Sequence, residues 1–203
     1  MRLVTYHREG QARIGGQIDG QIIDLNRAYR AMLRYGGNDD ELAVADARVP
    51  TDMIGLLQGG ETSLKAARQA LAFVSGQIEA GDQPGKLEGI VYAIDQISFL
   101  SPVLRPGKVI CLGLNYRDHA AEAGMAVPDY PVLFHKVAGS LVGHKQPVIV
   151  PRVSSRIDYE GELAVIIGKR GKYITEQDAL AYVAGYCVAN DVSARDLQFR
   201  TSQ

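Results

Sequence analysis

The sequence predicts an α+β fold, because strand-like and helical stretches both occur along the chain. Short apolar runs flank Asp19 and Gly20, a residue pair typical of a type I′ hairpin turn. Residues 64–78 carry apolar side chains at helical spacing, which predicts a helix with one buried face. Two further apolar runs, 163–167 and 186–189, have the length of strands, and the first is apolar on both faces, so we expect it to be buried.

Composition places the chain among ordinary globular proteins. Of its 203 residues, 46% are hydrophobic and 22% are charged, and the formal net charge is −1. With no basic stripe and no apolar run long enough to cross a bilayer, we expect neither a nucleic-acid partner nor a membrane partner. The first ten residues lack the apolar core of a signal peptide, and Cys111 and Cys187 have no CxxC partner. These features predict reduced cysteines and a cytoplasmic location.

The N-terminal part, residues 1–95, is predicted to be a small α/β domain to which the sequence assigns no chemistry. Its first helix is expected to begin at an Asn26 N-cap and to end at Gly36 and Gly37. Thr51 is expected to cap a short helix that ends at Gly59, and the longer helix of residues 64–78 follows it. The polar stretch 81–89, rich in Gly and Pro, predicts a linker.

Three carboxylates lie in or beside the later apolar runs, where a carboxylate is costly without a positive neighbour. Glu160 and Glu162 are two residues apart, so a strand would place both on one face, and Asp191 follows the second run. If the two strands are neighbours, these oxygens suit a divalent cation such as Mg²⁺. The alternative is an acidic strand edge that pairs with Arg156, Lys169 or Arg195.

A second group of polar residues follows the apolar strand predicted for residues 109–114. His119 and Glu122 lie three residues apart on a predicted short helix, close enough for the carboxylate to orient the imidazole as a general base. The alternative is a solvent-exposed His–Glu pair with little effect. Further along, Thr175 and Asp178 form a capping-box pattern that predicts a helix through Val183.

Three motifs in these regions resemble the fumarylacetoacetate hydrolase family, in its acylpyruvate-hydrolase-like branch. They are GLNYRDHAAEAG, DYEGELAVIIGK and NDVSARDLQ, and they occur in the family's order between about Pro102 and the end of the sequence. The resemblance implies a mixed β-sheet roll, a homodimer and a bound Mg²⁺ or Mn²⁺. It also implies that residues 96–203 form the catalytic domain, and we expect this domain to be incomplete at its C-terminus.

The resemblance assigns roles to eight residues by their position in the motifs. Their implied roles are metal ligation for Glu160, Glu162 and Asp191, acid–base catalysis for His119 and Glu122, substrate binding for Lys136 and Gln198, and orientation of a ligand carboxylate for Arg195.

The implied activity is metal-dependent hydrolysis of a carbon–carbon bond in a small 2,4-dioxo acid, through a metal-bound enolate. The same site would also serve a 2-oxo acid decarboxylase, a tautomerase or isomerase, or a dehydratase, because all of these reactions pass through such an enolate. Two other classes stay open on the residues alone. A metal-dependent nuclease also uses clustered carboxylates, although the near-neutral charge argues against it, and a non-catalytic protein could keep the fold.

Overall fold

The computed structural model describes residues 1–81, 87–122, 124–198 and 200. Its strands are β1 (Arg2–Arg8), β2 (Gln11–Ile18), β3 (Gln21–Asp24), β4 (Val91–Ala93), β5 (Ser98–Leu100), β6 (Val109–Gly113), β7 (Val132–Lys136), β8 (Ile157–Asp158), β9 (Gly161–Ile167), β10 (Val183–Asn190) and β11 (Ser193–Ala194). Its α-helices are α1 (Leu25–Tyr35), α2 (Glu41–Arg48), α3 (Met53–Gln58), α4 (Gly60–Glu79), α5 (Arg117–Glu122) and α6 (Arg195–Gln198). This mixture of helices and strands confirms the predicted α+β class.

The first part of the chain forms a five-stranded sheet in the order β4-β3-β2-β1-β5, with every neighbouring pair antiparallel. The predicted hairpin turn is confirmed, because Asp19 and Gly20 both have positive φ angles, 44° and 79°, as a type I′ turn requires. Strand β5 lies beside β1, where Thr5 pairs with Leu100. The sheet therefore continues past residue 95, and the domain boundary stays a prediction.

Helix α4 packs directly on this sheet. A Cβ atom at Gly16 of β2 would lie 2.6 Å from Leu71 of α4, so only glycine allows the two elements to approach this closely. The predicted apolar stripe is largely confirmed, since Ala67, Leu71 and Val74 are buried. Ile78, at the end of the stripe, is exposed. The residues predicted for the linker include 82–86, which lie outside the described residues.

Helix α1 has its N-cap two residues earlier than the predicted Asn26. Asp24 is the N-cap and accepts a hydrogen bond from the backbone N–H of Arg27, at 2.9 Å. Asn26 is instead buried inside the helix, where its amide donates to the carbonyl of Val49, at 2.8 Å, and to the carboxylate of Asp46. Its side chain therefore joins α1 to α2.

The Asp24 carboxylate is fully buried and is surrounded by donors. The Tyr6 hydroxyl donates to it at 2.6 Å, and the Arg13 guanidinium donates from both Nε and Nη2. Burial first, and then the negative charge of Asp24, raises the pKa of Tyr6 far above its ordinary value. This network fixes the start of α1 to two strands of the sheet.

A one-residue error also affects the next predicted cap. Asp52, not Thr51, is the N-cap of α3, and its side chain accepts a hydrogen bond from the backbone N–H of Gly55, at 2.9 Å. The predicted ends hold, because Gly36 is the C-cap of α1 and Gly59 is the C-cap of α3.

In the second part of the chain, the described residues form three two-stranded antiparallel sheets, β6–β7, β9–β10 and β8–β11. The helix predicted through Val183 is wrong. The Thr175 hydroxyl does accept the capping hydrogen bond from the backbone N–H of Asp178, at 3.3 Å, but only a short 3-10 turn, Ala179–Tyr182, follows. Val183 already begins β10, because its pairing with Ile167 of β9 replaces the helical hydrogen bonds.

The β9–β10 pair has one exposed apolar face. The outward side chains of β9, Leu163, Val165 and Ile167, are 60%, 45% and 63% exposed. The prediction that this strand is buried on both faces is therefore wrong for the described part of the chain, in which no second layer covers this face. Among the described residues, no helix has both the length and the hydropathy needed to span a bilayer.

Candidate active site

The pairing of β9 with β10 brings the predicted metal-binding carboxylates to one end of a sheet. Glu162 lies opposite Ala189, so Asp191, just after β10, lies beside the start of β9. The backbone N–H of Asp191 donates to the carbonyl of Glu160, at 2.9 Å. The backbone N–H of Glu160 in turn donates to the Asn190 side chain, at 3.0 Å. The expected proximity of the two carboxylate-bearing segments is thus present.

Arg195 holds two of the acidic side chains at this end. Its guanidinium pairs with Glu160, at 2.6 Å, and with Asp158, at 2.9 Å. Burial lowers the pKa of Arg195, but hydrogen bonds with these carboxylates outweigh that effect and raise it. A third contact, from Nη1 to the Gln198 side chain at 3.0 Å, fixes the residue predicted to touch substrate.

Lys136 holds the third carboxylate. It lies at the end of β7, and its ammonium contacts Oδ1 of Asp191. The Asp191 side chain is only 11% exposed and that of Lys136 is 32% exposed, so the pair is largely shielded from water. Oδ1 itself is buried, and the Lys136 ammonium contacts it. The sequence provided no sign that these two residues meet.

Asn115 and Tyr116 also belong to the site, although the sequence patterns do not identify them as site residues. Asn115 approaches Glu162, with its amide nitrogen 3.5 Å from a carboxylate oxygen, and the Tyr116 hydroxyl accepts a hydrogen bond from the backbone N–H of Leu163, at 3.1 Å. Both residues directly precede helix α5, so they connect that helix to strand β9. The only signal in the sequence is their position in the motif GLNYRDHAAEAG.

Cys111 is the third such residue. It lies on β6, and burial, followed by the nearby negative charge of Asp191, raises the pKa of its thiol. Cys111 and Cys187 are both free and half-buried, and burial also raises the pKa of Cys187. The raised pKa values keep both thiols protonated and poorly nucleophilic at neutral pH.

His119 and Glu122 lie on helix α5 as predicted, and both side chains are exposed. The structure records no hydrogen bond or ion pair between these two described residues. Their role as an acid–base pair therefore stays a prediction. What the structure adds is the connection from the start of α5, through Tyr116, to the carboxylate-bearing strand.

The donor chemistry of the site fits a hard divalent cation, but the arrangement of the side chains does not yet form a metal site. Three carboxylates at one sheet end, one of them with a buried oxygen, are the ligands that Mg²⁺ and Mn²⁺ prefer. Even so, no group of three or more His, Cys, Asp or Glu side chains in residues 1–81, 87–122, 124–198 and 200 is close enough to hold a metal. Lys136 and Arg195 bind Asp191 and Glu160 instead.

Comparison with known proteins gives a family match to the second part of the chain. Residues 108–203 match the model described as "Fumarylacetoacetate (FAA) hydrolase C-terminal". A curated relative, oxaloacetate tautomerase Fahd2a, mitochondrial, of Rattus norvegicus, is 44% identical over 168 residues. That alignment covers 83% of this chain and 49% of the relative, so the chain spans about half the length of the curated relatives it matches.

Solved structures of related proteins share the fold. Fumarylacetoacetate hydrolase from Exiguobacterium antarcticum has a TM-score of 0.60 at 30% identity, over 97% of this chain and 57% of that one. Maleylpyruvate hydrolase from Sphingobium sp. SYK-6, in complex with manganese(II) ion and pyruvate, has a TM-score of 0.60 at 28% identity, over 96% and 60%. These similarities confirm the expected fold of the fumarylacetoacetate hydrolase type.

The names of several curated relatives contradict the predicted cytoplasmic location. The matching tautomerases of Rattus norvegicus, Homo sapiens and Bos taurus are all named as mitochondrial proteins. The expectation relied on two isolated cysteines and on the polarity of residues 1–10. Neither feature distinguishes the cytosol from a mitochondrial compartment, which is why the prediction is wrong.

Proposed function

Because this chain belongs, through residues 108–203, to the fumarylacetoacetate hydrolase family, we propose that it catalyses enolisation of a small 2-oxo acid, with oxaloacetate as the first substrate to test. The observation that carries the proposal is the register of β9 with β10, which gathers Glu160, Glu162 and Asp191 at one sheet end facing the ammonium of Lys136. The similarity to oxaloacetate tautomerases supports the choice of substrate.

Tautomerisation replaces hydrolysis as the main hypothesis. A tautomerase moves one proton between C3 and the oxygen on C2 of the substrate, whereas a carbon–carbon hydrolase must also position an attacking water. Several curated relatives are named oxaloacetate tautomerases, and they therefore favour the simpler reaction. Hydrolysis of a 2,4-dioxo acid stays the second candidate, because maleylpyruvate hydrolase shares the fold.

We also propose that a divalent cation is the cofactor, held by Glu160, Glu162 and Asp191. A related hydrolase has been solved with manganese(II) and pyruvate, which supports this class of ion for the family. When bound, such an ion supplies Lewis-acid stabilisation of negative charge on the 2-oxo group.

The protein's own residues would then divide the remaining tasks. Lys136 supplies a positive charge for a substrate carboxylate, since its ammonium is only partly exposed and faces the carboxylate cluster. His119 transfers the proton at the substrate carbon, with Glu122 one turn away to orient its ring. Arg195 keeps Glu160 and Gln198 in position through its three hydrogen-bonded contacts.

The test is the conversion of enol-oxaloacetate to its keto form, followed by ultraviolet absorbance with Mg²⁺ present. We expect the protein to accelerate the conversion beyond the rate with Mg²⁺ alone. We expect Glu162→Gln to lower the enzymatic rate by at least about 100-fold, which is the typical effect of losing one charge-stabilising group. Glu176→Gln, which removes an exposed carboxylate outside the site, is the matched control.

Parallel assays with acylpyruvates and 2,4-dioxo sugar acids separate the two candidates. Acceleration of enol conversion without release of pyruvate from acylpyruvates would support the tautomerase. Rapid carbon–carbon cleavage with no effect on enol-oxaloacetate would reject it in favour of the hydrolase. The predicted homodimer is a separate proposal, and measurement of the molar mass in solution tests it.

A further inference from the structure

Lys136 already binds a carboxylate that is proposed to hold the divalent cation. Its ammonium contacts Oδ1 of Asp191, and this oxygen is buried. Each carboxylate oxygen has two lone pairs, so Asp191 has acceptor sites for more than one partner. A divalent ion and an ammonium group on one shielded carboxylate nevertheless repel each other, so the binding of either one weakens the binding of the other.

We infer that Lys136 is a built-in competitor for the cation, and that binding of a divalent ion displaces its ammonium from Asp191 and frees it for a substrate carboxylate. This inference rests on the cofactor part of the proposed function. It accounts for described carboxylates that share a sheet end without forming a metal site, since cationic side chains already bind two of them.

The balance of charge supports an exchange of this kind. Four carboxylates, those of Asp158, Glu160, Glu162 and Asp191, surround two cationic side chains. Two negative charges are therefore unbalanced, which is the charge that one divalent ion supplies. Arg195 already binds two carboxylates and a glutamine, so its contacts persist while those of Lys136 change.

Mn²⁺ binding in the absence of any substrate tests the competition. Electron paramagnetic resonance of free Mn²⁺ would be used to titrate the wild type, Lys136→Met and Lys108→Met. We expect Lys136→Met to bind Mn²⁺ about fivefold to tenfold more tightly, the equivalent of losing one partly shielded ion pair. Lys108→Met removes the same charge from an exposed side chain that makes no ion pair with Asp191, so it should bind like the wild type.

An unchanged or weaker affinity in Lys136→Met would overturn the inference, as would the absence of Mn²⁺ binding in all three proteins. Thermal unfolding of each variant establishes that it is folded before titration. Because no substrate is present, the result does not depend on the reaction: a protein that binds Mn²⁺ as expected but leaves oxaloacetate unchanged would refute the proposed function alone.

Chemical labelling of lysine follows the displacement directly. The wild type would be treated with an amine-acylating reagent, with and without saturating Mg²⁺, and the labelled peptides quantified by mass spectrometry. We expect labelling of Lys136 to increase severalfold when Mg²⁺ is bound, while labelling of Lys108 stays constant. Equal or reduced labelling of Lys136 in the presence of Mg²⁺ would show that its ammonium stays on Asp191.

Discussion

The Tyr116 hydroxyl is the most specific point at which to test the connection between the two halves of the site. The hydroxyl accepts a hydrogen bond from the backbone N–H of Leu163, which is next to Glu162. The residue Tyr116 itself directly precedes α5, the helix that carries His119. Tyr116→Phe removes this single acceptor and keeps the ring. If the bond positions β9 relative to α5, its loss should affect the reaction as well as the stability.

The expected size of the effect follows from the geometry. At 3.1 Å this is a neutral hydrogen bond of normal length, and such a bond contributes about 0.5–1.5 kcal/mol to the free energy of unfolding. We therefore expect kcat/KM for enol-oxaloacetate to fall by about 2-fold to 12-fold. In a chain of this size the same energy lowers Tm by roughly 1–6 °C.

The assay compares kcat/KM, Mn²⁺ affinity and Tm for the wild type, Tyr116→Phe and Tyr173→Phe. Tyr173 is almost fully exposed, so its hydroxyl is a matched control for the loss of a phenol oxygen. A positioning role predicts that Tyr116→Phe lowers kcat more than it raises KM. If the two variants are indistinguishable in kcat/KM, the proposed connection between α5 and β9 is refuted.

Two further predictions concern groups with defined hydrogen-bond partners. Asp24→Asn removes the charge partner of the partly buried Arg13 guanidinium. We therefore expect urea unfolding to show that the free energy of unfolding falls by about 3–5 kcal/mol, against almost no change for the exposed Asp39→Asn. Hydrogen bonds from Ser154 Oγ and from the next backbone N–H lower the pKa of Asp196, so Ser154→Ala should raise that pKa in an NMR titration. Because the folded-state pKa is the lower one, the stabilisation is present above about pH 4 and is lost as the pH falls through the folded-state pKa. The variant should therefore be less stable than the wild type at pH 7, with the difference shrinking in acid.

Local signals in the sequence predict much of the first part of the chain. The Asp19-Gly20 turn and the apolar stripe of α4 depend on neighbouring residues, and both are present. The predicted caps of α1 and α3 were wrong by one or two residues, because several residues near each helix start are good capping residues. Burial decided between them for α1: the buried Asn26 side chain joins α1 to α2, and Asp24 is the cap.

Long-range pairing explains the errors in the second part of the chain. The capping contact of Thr175 with Asp178 formed as predicted, but strand pairing of Val183 with Ile167 ended the helix after one turn. The register of β10 with β9 shifts between Val183 and Gly185, so this strand begins with an irregularity. Such pairing depends on residues far apart in the sequence, so local patterns do not reveal it.

The candidate site shows the same division. The spacing of Glu160 and Glu162, with Asp191 after a second strand, suits a metal site only if the two strands are neighbours, and the pairing of β9 with β10 meets that condition. Metal ligation by these residues stays a prediction. The contact of Lys136 with Asp191 joins two different sheets, and nothing in the spacing of charged residues predicts it. Charge patterns along a sequence identify which groups need partners, whereas the fold selects the partners.

Exchange of the C3 hydrogens of oxaloacetate with deuterated solvent tests the central claim most directly, because it measures enolisation whichever product follows. The exchange would be followed by proton NMR with Mg²⁺, for the wild type and for Asp191→Asn. We predict exchange faster than with Mg²⁺ alone in the wild type and a loss of this acceleration in Asp191→Asn. Exchange at the rate of Mg²⁺ alone in the wild type, or equal acceleration by both proteins, would contradict the account.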